Sequence, residues 1–269
     1  MILLDNKEYN REELIDNMSS DEFYYSFLAL DKCLSYSSLK WLLKSPKWFD
    51  YKRRNPDPET QALRDGKLVH TEILEPTKYS EQFHFIDVST KNTKKWKLAV
   101  QEYGKAYTYT KKEKYMNNRI TTAFLQNDAC VSYLKGSETE VPALVDVDGL
   151  PIRAKADILG PDYVADIKTT ADGVKDINLS DGTTKNQFAF TMNKYDYDLQ
   201  AYLYTVIFNK PRFVWLVVDK TTTDIGIFEA SAETLESGKL KLDACIQLYK
   251  AFFIDELIDL SQYYKQQTI

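Results

Sequence analysis

The sequence predicts a mixed α/β fold in which a central β-sheet is flanked by helices. Three consecutive strand-like segments lie at residues 140–148, 151–159 and 163–168, and turn signals such as Asp148-Gly149 separate them. Segments with the helical spacing of apolar residues precede and follow this antiparallel meander. Because no internal repeat is evident, the order of the elements favours a single sheet with helices packed against it.

The N-terminal half is predicted to be mainly helical. Residues 1–30 are interpreted as an acidic arm or small subdomain, and residues 31–269 as one larger domain. The segment Ser35-Tyr36-Ser37-Ser38 offers N-cap groups for a first helix, and a further helix covers residues 62–75. Residues 94–134 are mostly helical in pattern, with a weaker stretch in the middle.

The C-terminal half alternates between helices and strands. Residues 171–194 are polar and rich in Gly, Asn and Asp, so they are predicted to form a long loop, which in a compact domain is often functional. A helix at 195–208, strands at 213–218 and 225–228, and a long amphipathic helix at 232–258 complete the predicted fold.

The composition is typical of a globular protein from a reducing compartment. Hydrophobic residues make up 43% and charged residues 28% of the 269 positions, which excludes a mainly disordered chain. No apolar stretch approaches the ~18 residues that span a bilayer, and the apolar start is too short for a signal peptide. Cys33, Cys130 and Cys245 form no CxxC pair, so we expect neither disulfides nor a cysteine metal site. These features predict a cytoplasmic protein with no membrane partner.

The distribution of charge points to nucleic acid despite a net charge of −5. Residues 91–120 carry nine basic and two acidic residues, a local charge of +7, and residues 40–54 hold a second basic cluster. Aromatic residues lie between these cations, a pattern that suits phosphate contact and base stacking, although a solvated helix face gives the same pattern. The candidate contacts are Lys40, Lys44, Arg53, Arg54, Lys94, Lys95, Lys111 and Lys112.

Two carboxylates and a lysine form the candidate chemical centre. Asp166 and Lys168 lie two residues apart on the third predicted strand, so they share a face and are ~7 Å apart along it. The turn after the second strand can bring Asp157 beside Asp166. Neighbouring carboxylates repel unless a cation lies between them, and Mg²⁺ favours oxygen ligands. Lys168 would then orient a water molecule or neutralise phosphate charge, whereas a structural salt bridge is the alternative.

The segment from Ala156-Asp157 to Asp166-Ile-Lys168 resembles the core motif of the PD-(D/E)XK nuclease superfamily. Upstream, Gly66-Lys-Leu-Val-His70 resembles the Gly-x-x-x-His helix of the RecB-like branch, and residues 34–40 resemble its opening helix. Downstream, Gln200-Ala-Tyr-Leu-Tyr204 resembles the QxxxY motif of that branch. The four motifs occur in the family's order, and the nearest resemblance is to RecE-type exonucleases (exonuclease VIII) of phage recombination modules.

The resemblance implies a metal site with a defined set of ligands. Asp157 and Asp166 match the metal-binding carboxylates, and the Ile167 carbonyl matches a further ligand. His70 matches the histidine that coordinates a second metal ion. The implied cofactor is Mg²⁺, two ions per site, with Mn²⁺ able to substitute.

The resemblance also implies roles for residues that bind no metal, and an activity. Lys168 matches the catalytic lysine, while Gln200 and Tyr204 match residues that position the DNA end and that lysine. The implied activity degrades one strand of linear double-stranded DNA from its end and leaves single-stranded tails for recombination. The implied partners are double-stranded DNA ends, further copies of the chain in a ring and a single-strand annealing recombinase, inside a bacterial host cell. Another nuclease of the superfamily, endonuclease or structure-specific, and a non-catalytic DNA-binding module are the alternatives.

The family pattern leaves two questions of assignment. A literal Pro-Asp pair occurs at Pro161-Asp162, whereas Ala156 precedes Asp157. Because aspartate is favoured in turns for local hydrogen bonds, we assign Asp162 to the turn and Asp157 to the metal site. Glu140 is either an additional acid near the site or an exposed charge on the first strand.

Overall fold

The structure is a computed structural model, and it describes residues 1–4, 7–28, 32–255 and 258–264. The helices within these ranges are Arg11–Asn17 (α1), Tyr36–Lys44 (α2), Pro46–Arg54 (α3), Gln61–Leu74 (α4), Pro76–Gln82 (α5), Lys94–Tyr103 (α6), Lys111–Leu125 (α7), Asp128–Leu134 (α8), Gln187–Tyr195 (α9), Tyr197–Phe208 (α10) and Ala232–Tyr249 (α11). The strands are Ile2–Leu4 (β1), Lys7–Tyr9 (β2), His84–Ile86 (β3), Thr108–Thr110 (β4), Glu138–Val147 (β5), Leu150–Leu159 (β6), Tyr163–Thr170 (β7), Asp176–Asn178 (β8), Thr184–Asn186 (β9), Arg212–Asp219 (β10) and Ile225–Glu229 (β11).

A five-stranded mixed sheet lies at the centre, with the strand order β11-β10-β7-β6-β5. The β5–β6, β6–β7 and β10–β11 pairs are antiparallel. The β7–β10 pair is parallel, which requires a crossover, and the chain between these strands contains α9 and α10. The predicted mixed α/β class, a sheet flanked by helices, is therefore confirmed.

Each face of the sheet is covered by helices that bury apolar side chains. On one face, Ile152 and Trp215 join a core cluster with residues of α2, α10 and α11, such as Leu39. On the other face, Ile167 and Leu216 join residues of α4, α7 and α8. Burial on both faces fixes the sheet between two helical layers, and it fixes α4 and α10 against opposite sides of β7.

Asp157 and Asp166 face each other where the backbone pairing of β6 with β7 ends. The ladder pairs are Ile158 with Ala165 and Leu159 with Val164, and the same register sets Asp157 opposite Asp166. On the other side of β6, the β5 register sets Glu140 opposite Asp157, at a step where the ladder is interrupted. The backbone of Glu140 has a φ of 53°, a left-handed conformation that is uncommon for this residue type.

The N-terminal residues pack beside the sheet rather than apart from it. Met18, Tyr24 and Leu28 are buried in one cluster with Leu144 of β5. The Arg153 guanidinium donates hydrogen bonds to the backbone carbonyls of Tyr24 and Leu28, which ties a π-helical turn to β6. The division at residues 30 and 31 stays a prediction, and both positions lie outside the described residues.

Three sequence expectations need correction. The long loop expected at residues 171–194 contains the β8–β9 hairpin and most of α9, whose formation is favoured by the Asn186 N-cap and the burial of Phe188. The helix expected from residue 195 begins at Tyr197, because Asp196 has a φ of 56° and separates α9 from α10. The last α-helix ends at Tyr249 rather than at residue 258, and Lys250–Ile254, which follow it, form a π-helical turn.

The predicted helical region at 94–134 is interrupted. Strand β4 separates α6 from α7 and pairs in parallel with β3, a strand that the sequence pattern did not indicate. Within the described ranges, no helix has the length and hydropathy needed to cross a membrane.

Candidate active site

Asp157, Asp166 and Lys168 come together at the open end of the β6–β7 hairpin. Lys168 Nζ lies 2.5 Å from Asp166 Oδ2, and the Ile167 amide donates a hydrogen bond of 2.8 Å to Asp157 Oδ2. The side chain of Asp166 is 6% exposed, against 14% for Asp157 and 19% for Lys168. Because side chains alternate along β7, Asp166 and Lys168 project from the face that α10 covers.

Helix α10 supplies Gln200 and Tyr204 to the same centre. Gln200 Nε2 donates a hydrogen bond of 2.6 Å to Asp166 Oδ1, so the two oxygens of Asp166 are engaged by Gln200 and Lys168. Tyr204 lies one turn further along and is 9% exposed, with its ring edge-on to Phe213 at 6.0 Å. The predicted Gln200-x-x-x-Tyr204 pair thus faces the sheet, with Gln200 in direct contact with a predicted ligand.

Helix α4 brings His70 to Asp157 from the opposite side of the sheet. Thr60 caps the helix, and Val69 and Ile73 are buried against the sheet, which fixes the rotation of the helix. His70 Nδ1 then lies 3.2 Å from Asp157 Oδ2. The histidine therefore faces the carboxylates from another layer of the fold.

His70, Glu140 and Asp157 form a group with the chemistry of a divalent metal site. Each offers one nitrogen or oxygen ligand atom, and these atoms all lie within 4.8 Å of one another. Imidazole nitrogen and carboxylate oxygen together suit several divalent cations, so the donor set fits a metal. Glu140 is half-buried and belongs to this group, which favours the first of its two interpretations.

Burial and close charges shift the pKa values of these groups. Burial alone would lower the pKa of His70, but the adjacent Asp157 carboxylate raises it to about 9. Burial raises the pKa of Asp166 in spite of the Lys168 charge, and burial together with Asp157 raises the pKa of Glu140 to about 7. Crowded acids of this kind repel one another, so a bound cation would be stabilised here.

Among the predicted DNA contacts, Lys40 lies beside the centre. Its Nζ sits 4.7 Å from the centroid of the Tyr36 ring, and burial and the charge of Lys168 lower its pKa. Lys168 itself lies 4.9 Å from the Tyr197 ring centroid. Lys40 therefore extends the positive surface of the site from α2.

The other predicted DNA contacts lie on helix surfaces, and several have acidic partners. Arg53 and Arg54 both contact Asp50, and Lys111 lies 3.0 Å from Asp87. The remaining four have various environments: Lys44 stacks over Trp48 at 3.8 Å, Lys95 donates to the Asp87 carbonyl, and Lys94 and Lys112 are exposed. Part of the local positive charge is thus neutralised within the chain.

Asp162, the rival to Asp157, lies in the turn at the opposite end of the ladder. Its carboxylate is 3.1 Å from Arg212, and its side chain is 54% exposed. Arg212 in turn binds Glu229 at 2.8 Å. This geometry gives Asp162 a surface ion pair and leaves Asp157 next to His70.

The proximity of Asp21 to the site was not expected from the sequence. Asp21 belongs to the N-terminal segment, and its carboxylate lies 3.7 Å from Lys155, two residues before Asp157. Local patterning carries no signal for such a contact, because it depends on how the arm packs against β5 and β6.

The chain matches a family model over most of its length and shares its fold with a solved structure. A family model described as a PDDEXK-like domain of unknown function (DUF3799) matches residues 35–256. Among solved structures, the chain is similar to a "Putative exonuclease" from Eubacterium rectale, with 17% identity and a TM-score of 0.63 over 93% of this chain and 95% of that one. That similarity shows a shared fold.

A second solved structure aligns with a lower TM-score. It is named a phage related exonuclease from Haemophilus somnus 129PT, with 13% identity and a TM-score of 0.35 over 84% of this chain and 96% of that one. Among curated proteins, no sequence matches the chain. The family match covers all four sequence motifs except Leu34, the first residue of the 34–40 segment.

Proposed function

The chain belongs to the PDDEXK-like family DUF3799, and from this premise we propose that it is an exodeoxyribonuclease acting on linear double-stranded DNA. The expected resemblance to the PD-(D/E)XK superfamily is thereby confirmed. The observation that carries the proposal is the convergence of Asp157, Asp166 and Lys168 on one site that His70 and Gln200 complete. This set supports phosphodiester hydrolysis at that site.

The proposed cofactor is Mg²⁺, two ions per site, with Mn²⁺ able to substitute. His70, Glu140 and Asp157, whose ligand atoms lie close together, would hold the metal. The family resemblance adds Asp166 and the Ile167 carbonyl to this set. When bound, divalent metal ions lower the pKa of water and stabilise charge on the attacking and leaving oxygens. The crowded carboxylates described above supply the negative charge that such ions need.

Side chains around the metal ligands have separate roles in the proposal. Lys168 places a positive charge beside Asp166, where it neutralises developing charge on a phosphate or orients a water molecule. Gln200 fixes one oxygen of Asp166, so the other oxygen keeps its direction towards Lys168. Tyr204 lies one turn from Gln200 on α10 and packs edge-on against Phe213 of the sheet, which holds this part of α10 in place.

The proposed substrate contacts and partners extend the site. Among the basic residues predicted to contact DNA, Lys40 lies nearest the centre, and the basic surfaces of α3, α6 and α7 would track the backbone. We also propose assembly into a ring, a single-strand annealing recombinase as partner, and action in the cytoplasm of a bacterial host cell. These three follow from the resemblance to RecE-type exonucleases.

The test compares linear and covalently closed circular duplexes of the same sequence, each with Mg²⁺ or EDTA. We expect only the linear duplex to be degraded, and only when Mg²⁺ is present. Cutting of the closed circle would move the assignment to an endonuclease of the superfamily. Binding of both duplexes without cleavage would favour a non-catalytic DNA-binding module.

A further inference from the structure

Three lysines from three different elements converge on one carboxylate beside the candidate metal site. The carboxylate of Asp21 lies 3.3 Å from Lys67 Nζ, 3.6 Å from Lys78 Nζ and 3.7 Å from Lys155 Nζ. Lys67 belongs to α4, Lys78 to α5 and Lys155 to β6. We call Lys67, Lys78 and Lys155 the lysine cluster.

The lysine cluster borders the metal site because two of its members share surfaces with the candidate ligands. Lys67 precedes His70 by three residues on α4, so the two project from one face of the helix, and Lys155 precedes Asp157 by two residues on β6. Lys155 Nζ also lies 3.7 Å from Glu140 Oε2. A DNA strand held at the metal site would therefore pass the lysine cluster.

The Asp21 side chain is partly exposed, whereas the backbone that follows it is held in place. The backbone after it is anchored by the hydrogen bonds from Arg153 to the Tyr24 and Leu28 carbonyls. The Asp21 side chain itself is 25% exposed, and the Lys67 side chain is 30% exposed. Rotation of the Asp21 side chain away from the lysines would leave their ammonium groups without this carboxylate.

A phosphate group is the anion that this arrangement suits. While Asp21 is in place, the carboxylates of Asp21, Glu75 and Glu140 balance the three ammonium groups. Without Asp21, the three lysines keep one positive charge in excess of Glu75 and Glu140, so an anion would replace the lost carboxylate. Lysine is a common point-charge partner of phosphate. Partly exposed ion pairs contribute little to folding stability, so folding alone does not account for three of them at one carboxylate.

We propose that the lysine cluster binds a phosphate of the DNA strand next to the scissile position, and that Asp21 occupies this subsite when DNA is absent. The inference rests on the proposed function, since it assumes a DNA strand at the metal site. Asp21 then acts as an internal competitor that weakens binding of the DNA strand.

The experiment measures binding of a labelled duplex in EDTA, where no cleavage occurs, for Asp21→Asn and for the matched control Asp16→Asn. Both variants remove one negative charge from the arm, and Asp16 is exposed and has no ion pair in the described part of the chain. We expect Asp21→Asn to bind about three- to tenfold more tightly than wild type, and Asp16→Asn to stay within about twofold. The slope of log affinity against log salt should steepen by up to about 0.9 for Asp21→Asn and should not change for Asp16→Asn.

A second set of variants tests the same subsite from the lysine side. Lys67→Gln and Lys78→Gln should each weaken binding, and Lys78→Gln combined with Asp21→Asn should lose most of the gain. Equal affinities for Asp21→Asn and Asp16→Asn, or weaker binding by Asp21→Asn, would overturn the proposal and leave Asp21 a structural ion-pair partner.

Two further comparisons identify the phosphate and separate this inference from the proposed function. A gain confined to duplexes with a 5′-phosphate assigns a terminal phosphate, and an equal gain with a 5′-hydroxyl assigns a backbone phosphate. Wild-type protein that binds but never cleaves would remove the nuclease function while the lysine cluster stands. Cleavage by wild type with no effect of Asp21→Asn would remove only the lysine-cluster proposal.

Discussion

Gln200 is a positioning residue whose effect is transmitted through Asp166. Its hydrogen bond of 2.6 Å holds one buried carboxylate oxygen, and its own Oε1 is buried with no hydrogen-bond partner in the described part of the protein. We predict that Gln200→Ala lowers kcat by about 10- to 100-fold, because the ligand loses its fixed orientation. Steady-state rates and metal titrations measure this effect. Val206→Ala, a substitution at an exposed position of the same helix, should leave kcat and the metal requirement unchanged.

Glu140 is predicted to contribute to metal binding from β5. Its place opposite Asp157 and within the group around His70 means that Glu140→Gln should raise the metal concentration for half-maximal activity by about tenfold. Glu138→Gln is the matched control, because Glu138 is exposed near the start of the same strand. The same metal requirement in both variants would return Glu140 to the role of an ordinary strand charge.

The contact between α10 and α11 holds Gln200 against the sheet. Gly238 on α11 has no room for a larger side chain, since an added Cβ would lie 2.1 Å from the Asp198 carbonyl oxygen on α10. We predict that Gly238→Ala lowers the free energy of unfolding by about 1–3 kcal/mol and lowers activity, because α10 must move. Urea denaturation and a rate assay measure the two effects.

Gly66 is the comparison for that substitution. An added Cβ there meets no atom within 4 Å, and the residue lies inside α4. Gly66→Ala should therefore raise the free energy of unfolding by about 0.5–1 kcal/mol, from helix propensity alone. A destabilised Gly66→Ala together with an unchanged Gly238→Ala would contradict this account of the helix packing.

The strands β5, β6 and β7, which hold the candidate site, could be predicted because their sequence signals are local. Alternation and turn residues place β5, β6 and β7 within a few residues of their observed bounds. Helix α9 was missed because its helical signal is weak in a polar sequence, and burial of Phe188 against Trp215 and Phe228 stabilises it. The gap at Asp196 depends on a left-handed backbone that residue type alone does not specify.

The charge of the whole molecule separates into paired and unpaired basic residues. Lys94 and Lys112 are exposed, and no ion pair of either occurs in the described ranges, whereas Lys111 lies against Asp87. We predict that Lys94→Gln with Lys112→Gln lowers the slope of log DNA affinity against log salt by up to about 1.8. The control replaces Lys135 and Lys239, which are also exposed. An equal change in both double variants would assign the effect to net charge.

Assembly of the site from separate layers limits what the sequence can establish. The pairing of Asp157 with Asp166 follows from hairpin register, so counting around the turn predicts it. The positions of His70 and Gln200 depend on helix packing against opposite faces of the sheet, and only the family resemblance pointed to them. Asp21 had no signal of either kind, because its contacts join the arm to three distant elements.

The measurement that tests the central claim most directly compares Asp157→Asn with Asp162→Asn. Both substitutions remove one negative charge from the same hairpin, and the two residues lie on opposite sides of the β6–β7 ladder. Cleavage of linear duplex DNA in Mg²⁺ should fall by at least about 10²-fold in Asp157→Asn and stay near wild type in Asp162→Asn. The reverse pattern, or full activity in Asp157→Asn, would contradict the site described here.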